Sequence, residues 1–483
     1  MTKYQAIRSL HSIEKFGSYI SSLPITLPHD SEIIFGNESP LAQPYYLDNH
    51  VIGNRFCALP MEGWDATPTG QPSELTQRRW ENFGRSGAKL IWGGEAVAVR
   101  YDGRGSPNQL YFSESNLLAL QTLRDRLVAT HHAAFGMTND LLVGIQLTHS
   151  GRVSRPTDWN RPEPKILYHH PILDQRLELS TNYPVLTDQE LDKIVRDFVQ
   201  AAVWSKQLGF HFVDIKHCHG YLSHELLSAT TRPGRYGGSF ENRTRFLRAV
   251  VKGIRSQAPD LLIGVRLSAF DFVPYRIGKN GTGEPEFVNY PYYHAFGSDD
   301  RGSAIDLTEP IQFLELLERL QIPLVCITGG GGYNPHVVRP SYLPQIGSYS
   351  PPEDPLVGVA RHIEVTSELK HRFPDLCIVG SAYSYLQDYL PHVAQAIIRT
   401  GHADFIGLGR MLLSYPTYPH DLLTGSRLES RQLCRTCSDC STAPRNGLAS
   451  GCYLFDSFYK QRPEAKRLHQ LKQKNAYNRS NTP

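Results

Sequence analysis

Eight short apolar runs, separated by long stretches of helical pattern, constrain this chain more than any other feature. They are Phe56–Leu59, Lys89–Trp92, Leu141–Gln146, Phe212–Ile215, Leu261–Leu267, Leu324–Ile327, Leu376–Val379 and Phe405–Leu408. Short continuous runs of this kind suit strands buried on both faces, as in a parallel sheet covered by helices. One repeat shows the unit clearly. Thr187 and Glu190 form a Thr-x-x-Glu capping box, and Leu191, Ile194, Val195, Phe198 and Ala202 then recur at helical spacing. Gly209 closes the helix, and the run from Phe210 follows at once. Eight such units in a chain of 483 residues predict an α/β fold, a (β/α)8 TIM barrel. A doubly wound sheet is the rival, but no G-x-G-x-x-G joins a strand to a helix.

Around that barrel, three regions are expected: an N-terminal extension over 1–48, the barrel over 49–430, and a cysteine-containing segment with a basic, polar surface tail over 431–483. The stretch 271–310 is long, polar and aromatic and follows the fifth run, which would put it on the C-terminal face, where barrel active sites lie. Lys and Arg number 50 against 47 Asp and Glu, too even a balance for a nucleic-acid-binding surface. No apolar run approaches the ~18 residues of a membrane span. The first sixteen residues lack the apolar core of a secretory signal. A cytoplasmic protein acting on a small molecule is the expectation, with no nucleic-acid or membrane partner and with room for a homo-oligomer.

Polar residues cluster where the runs end. Asp214-Ile-Lys216-His-Cys-His219-Gly-Tyr221 closes the fourth run. Lys216 and His219 could both donate to one substrate oxygen and Tyr221 could deliver a proton, although a metal site or a satisfied polar set reads equally well from spacing. Arg266, at the end of the fifth run, could hold an anionic ligand or a reduced cofactor, or serve as an ion-pair partner. The Gln146 amide suits the edge of a planar heterocycle. Gly380-Ser381 and Gly409-Arg410 end the seventh and eighth runs, whose loops frequently bind phosphate in this fold.

These motifs carry a resemblance. Asn54-Arg-Phe56 with Pro60-Met61, Gln146-Leu-Thr-His-Ser-Gly-Arg152, His219-Gly-Tyr-Leu222, Arg235-Tyr-Gly-Gly-Ser239, Glu241-Asn-Arg-Thr-Arg-Phe246 and Gly407-Leu-Gly-Arg410 together resemble the old yellow enzyme family of FMN-dependent oxidoreductases. The similarity is to the branch of bacterial 2,4-dienoyl-CoA reductase and covers about residues 49–415. It implies FMN at the barrel mouth, with Pro60, Met61, Gly94, Gln146 and Arg266 along the isoalloxazine and Gly380, Ser381, Gly409 and Arg410 at the phosphate. NADH or NADPH would be the reductant, Tyr221 the proton donor, and an α,β-unsaturated carbonyl the substrate. Two positions depart from the family pattern. Lys216 stands where a substrate-anchoring His is usual, and Glu62 stands where Thr or Cys is frequent. An unpaired carboxylate at 62 would disfavour an electron-rich reduced flavin.

Four cysteines close the chain's chemistry: Cys434, Cys437, Cys440 and Cys452 fall within nineteen residues. Four thiolates in this compass can hold a [4Fe–4S] cluster or zinc, or remain free thiols in a packed segment. The resembled branch carries a cluster here, with one more residue between its second and third cysteines, and is followed by nucleotide-binding domains. None is read in this sequence, so an electron-transfer role is expected to lack that partner. Cys57, Cys218, Cys326 and Cys377 read as small buried apolar residues. Two other functions stay in view: a flavin-free, metal-assisted lyase or hydrolase using Asp214, His217 and His219, and a flavin-binding protein without turnover.

Overall fold

A computed structural model describes residues 4–480 apart from 287, 289 and 290. Its centre is a closed barrel of eight parallel strands: β1 (Phe56–Ala58), β2 (Leu90–Ile91), β3 (Leu142–Thr148), β4 (Phe212–Ile215), β5 (Leu262–Ser268), β6 (Leu324–Thr328), β7 (Cys377–Gly380) and β8 (Phe405–Leu408). Each strand pairs in parallel with its neighbours in chain order, and β8 returns to β1 through Gly407 opposite Cys57. Each of the eight predicted runs is one of these strands. The helices following the strands are α1 (Glu74–Gly84), α2 (Leu117–Phe135), α3 (Asp188–Gln207), α4 (Arg245–Gln257), α5 (Thr308–Arg319), α6 (Pro355–Arg372), α7 (Leu390–Arg399) and α8 (Tyr418–Leu423). α3 opens on the predicted capping box: the Glu190 N–H donates to Thr187 Oγ1 at 3.2 Å, and the Thr187 N–H donates to Glu190 Oε2 at 2.7 Å.

Successive side chains on a strand point to opposite faces, and the buried residues divide accordingly. Val143, Ile145, Val213, Ile263 and Val325 join the apolar layer between barrel and helices. Leu142, Phe212, Leu324, Cys377 and Phe405 form a separate interior cluster. The Phe212 ring fits there because Gly144 lies opposite it; a Cβ on Gly144 would come within 2.3 Å of the ring. An antiparallel hairpin, Tyr45–Leu47 with His50–Ile52, adds Leu47 and Ile52 to the cluster. It thereby seals the N-terminal end of the barrel.

The N-terminal extension carries one helix, Ile13–Ser21, whose Phe16 stacks on Tyr389 with ring centroids 4.2 Å apart. Within 271–310, Tyr275–Ile277 pairs with Gly283–Pro285. The C-terminal region differs from the expected tail. After α9 (Asp439–Arg445), residues Pro463–Ser480 form a helix, α10. Leu468 of α10 packs with Ala443, Leu448, Tyr453 and Tyr459, and Lys472 pairs with Asp439 at 2.9 Å. Of the side chains up to 474, only the narrow stripe that carries Ala465, Leu468 and Leu471 is covered, which suits the polar composition. No helix of the described residues is long and apolar enough to cross a membrane.

Candidate active site

The C-terminal ends of the strands surround a cavity of about 230 Å³. Pro60, Met61, Gln146, Lys216, His219, Tyr221, Arg266, Ser381, Gly409 and Arg410 all line it. Gly94 and Gly380 stand behind that wall. The Gly94 carbonyl accepts the Met61 N–H at 2.7 Å, and Gly94 has φ +54 with the Trp80 ring where a Cβ would be. Gly380 lies against the Tyr383 hydroxyl, 2.4 Å from where a Cβ would be.

Asp214 organises the base of the cavity. It is fully buried and accepts from Trp92 Nε1 (2.8 Å), Gln146 Nε2 (2.5 Å) and the Arg266 N–H (2.7 Å). Burial raises its pKa to about 6 against the pull of these donors. It therefore fixes the Gln146 amide and the strand that carries Arg266. His217 faces away, its ring 5.5 Å from that of Phe313 on α5, while His219 faces the cavity. The predicted metal trio of Asp214, His217 and His219 is thus split: strand alternation puts His217 on the face opposite Asp214, and beyond the strand end the positive φ of His219 turns its ring back to the cavity. This corrects the metal-assisted alternative, and among the described residues no group of three His, Cys, Asp or Glu side chains is placed to hold a metal ion.

The two departures from the family pattern meet each other. Lys216 Nζ donates to Glu62 Oε1 at 2.7 Å, and the Tyr221 hydroxyl donates to Glu62 Oε2 at 2.6 Å. The ammonium also lies 3.4 Å from the Tyr221 ring centroid. Glu62 is therefore a paired carboxylate, and Lys216 is engaged with it. Burial and the neighbouring carboxylate push the Tyr221 pKa well above its ordinary value. His219 adopts φ +63, its N–H donates to Ser268 Oγ (3.1 Å), and burial with nearby Arg266 and Lys216 keeps the ring neutral.

The donor set fits FMN. Arg266 is 8% exposed, and its buried Nε has no partner. Among the described residues neither Arg266 nor Arg410 has a carboxylate in ion-pair reach; Arg410 donates instead to Ser341 Oγ (2.5 Å) and the Pro340 carbonyl (2.8 Å). Side chains at 407 and 409 would fill the cradle, since a Cβ on Gly409 would lie 2.8 Å from Met61 Sδ and one on Gly407 2.4 Å from the Gly380 carbonyl.

Cys434, Cys437, Cys440 and Cys452 line a second, small cavity of about 20 Å³. None is in a disulfide. Burial raises the pKa of each thiol, that of Cys452 to about 12. Cys440 and Arg410 line both cavities, so the two lie back to back. Sequence reasoning missed Trp64, Arg339 and Arg445, which also line the larger cavity. No motif marks them; only the fold brings them there.

Residues 40–312 match the model of the NADH:flavin oxidoreductase / NADH oxidase family. An NADPH dehydrogenase of Bacillus cytotoxicus is 24% identical over 391 residues, 78% of this chain and 90% of that protein. The fold resembles 2-naphthoyl-CoA reductase in complex with 2-naphthoyl-CoA (TM-score 0.64, 19% identity), over 89% of this chain. This chain spans 58% of that one's length. Morphinone reductase in complex with tetrahydroNAD matches over 81% of this chain and 92% of its own (TM-score 0.54, 20% identity).

Proposed function

The chain belongs to the NADH:flavin oxidoreductase / NADH oxidase family, and from that premise we propose an FMN-dependent ene-reductase that acts on α,β-unsaturated carbonyl compounds. The observation that supports this most is the meeting of Gln146, Arg266, Arg410 and Tyr221 at one barrel mouth. Pro60, Met61, Gln146 and Arg266 would hold the flavin ring, and Ser381, Gly409 and Arg410 its phosphate, with Gly94 and Gly380 shaping the wall from behind. When bound, FMN supplies the hydride chemistry, with NADH or NADPH as the source.

His219, neutral and facing the cavity, would donate to the substrate carbonyl oxygen. Tyr221 would give its hydroxyl proton to the α-carbon. The phenolate left behind lies beside the Lys216 ammonium, which stabilises it, and a proton can return from Lys216 through Glu62. In this reading Lys216 recharges the proton donor rather than anchoring the carbonyl. Because Glu62 is paired, Glu62→Thr leaves the lysine charge uncompensated. A redox titration is then expected to show a more positive flavin potential, and no change would remove Glu62 from the electrostatics of the site.

The four cysteines would hold a [4Fe–4S] cluster. Four thiols lining one small cavity support that assignment; no three of them stand around a metal position as they are, so the cluster would have to draw them together. Iron and sulfide analysis of anaerobically purified protein tests it, and protein without iron would overturn it. For the whole reading, the decisive experiment is an anaerobic visible spectrum before and after NADPH, followed by addition of 2-cyclohexenone. Flavin bands that bleach with NADPH and return with the enone are expected. A protein that cannot be loaded with FMN would overturn the function.

A further inference from the structure

Arg445 comes from the cysteine segment yet faces the barrel mouth beside Glu62, Trp64 and Tyr221. Its main chain is pinned, since Trp159 Nε1 donates to the Arg445 carbonyl at 2.9 Å. Its guanidinium lies 5.7 Å from the Trp64 ring centroid and donates to the Ser441 carbonyl at 3.0 Å. Among the described residues no carboxylate lies within ion-pair distance of it. The acid of its own helix, Asp439, is taken by Lys472, and Glu62, the only carboxylate lining the cavity, is taken by Lys216. Arg445 is half-buried at the mouth, so an anion entering the cavity meets a guanidinium with no carboxylate partner.

Trp64 gives an independent indication. Its buried Nε1 has no acceptor. Its backbone is held at φ +48, which is uncommon for so bulky a residue. The neighbours on both sides impose that conformation. The Gly63 N–H donates to Glu95 Oε1 (2.8 Å), and Asp65 forms a two-bond pair with buried Arg79 (2.7 Å for each bond). The indole is thus fixed at the wall of the mouth. Its ring face supports the Arg445 guanidinium, which, with no carboxylate partner, forms a site for a carboxylate at that wall.

Resting on the ene-reductase reading of this mouth, we propose that Arg445, with Trp64, selects substrates that carry a carboxylate. The cysteine segment is then a substrate-recognition wall of the barrel.

The test uses FMN-loaded full-length protein with trans-cinnamate and its methyl ester, which share an alkene and differ in charge. Binding is followed by calorimetry and by tryptophan fluorescence. The acid is expected to bind about tenfold or more tighter than the ester, as for a hydrogen bond to a charged group. Arg445→Gln should abolish that preference by weakening the acid alone, and Arg445→Lys should restore part of it. If Arg445→Gln fails to fold, the wild-type acid-to-ester ratio and the Arg445→Lys variant still decide. Equal binding of acid and ester by a wild-type protein that NADPH reduces would overturn the subsite and leave the ene-reductase reading standing. A protein that takes no FMN would overturn the reading on which the subsite rests.

Discussion

At the floor of the barrel, Leu142, Phe212 and Leu262 face the axis among other apolar side chains. Four residues further along the same strands, Gln146, Lys216 and Arg266 line the mouth. The floor is sealed by the hairpin residues Leu47 and Ile52 and gains from burial alone. The mouth gathers Lys216, Arg266, Arg339, Arg410 and Arg445 against the single carboxylate of Glu62. Burial and its neighbours Arg445 and Arg410 bring the pKa of Arg339 down to about 9. One end of the barrel is thus stable as it stands, and the other holds positive charge that its ligands are needed to balance. Asp214 lies between them and is bonded to residues of both layers.

The sharpest way to break that division is Asp214→Ala, which strands three buried donors at once. It should cost about 3–5 kcal/mol and also lower FMN affinity, checked by denaturant melts and flavin titration. Phe212→Ala should cost a similar ~3–5 kcal/mol while each folded molecule still takes FMN, because the change is confined to the floor. Tyr221→Phe should do the reverse. We expect kcat for enone reduction to fall by about 10²–10³-fold with the melting temperature nearly unchanged, read by stopped-flow oxidation of reduced enzyme.

Acid should weaken the molecule more gradually. Burial holds His131, His211, His217, His294, His336 and His362 at a pKa of about 4, and His149 and His224 at about 3. In the unfolded chain they titrate near 6.5, so over this interval the unfolded state binds more protons and stability is lost as the pH is lowered. Asp214 and Asp271, raised to about 6 by burial, act in the opposite sense but are fewer. Thermal melts at pH 7 and pH 5 should therefore show a lower midpoint at pH 5; an unchanged or higher midpoint would mean that these imidazoles are not held neutral.

Much of the frame was legible from the chain itself. The apolar runs gave away all eight strands because a strand covered on both faces needs no alternation, and the Thr187–Glu190 box marked where α3 starts because capping is local. Gln146, Lys216, His219, Tyr221, Arg266 and Arg410 could be placed at the mouth because strand ends in a barrel share one face. The α10 helix was not legible, since its polar composition conceals the few residues by which it packs.

What the chain determined by itself, then, was the barrel, the direction in which its strand-end residues point, and four thiols close enough to meet. The tertiary structure decided which charges neutralise each other. Glu62 and Lys216 are 154 residues apart and each looked anomalous alone, yet they form one ion pair. Arg445, in a segment marked only by its cysteines, enters the mouth with no carboxylate partner among the described residues. Local patterns arise from hydrogen bonding and burial within a few residues, whereas charge pairing depends on distances that only the closed barrel sets.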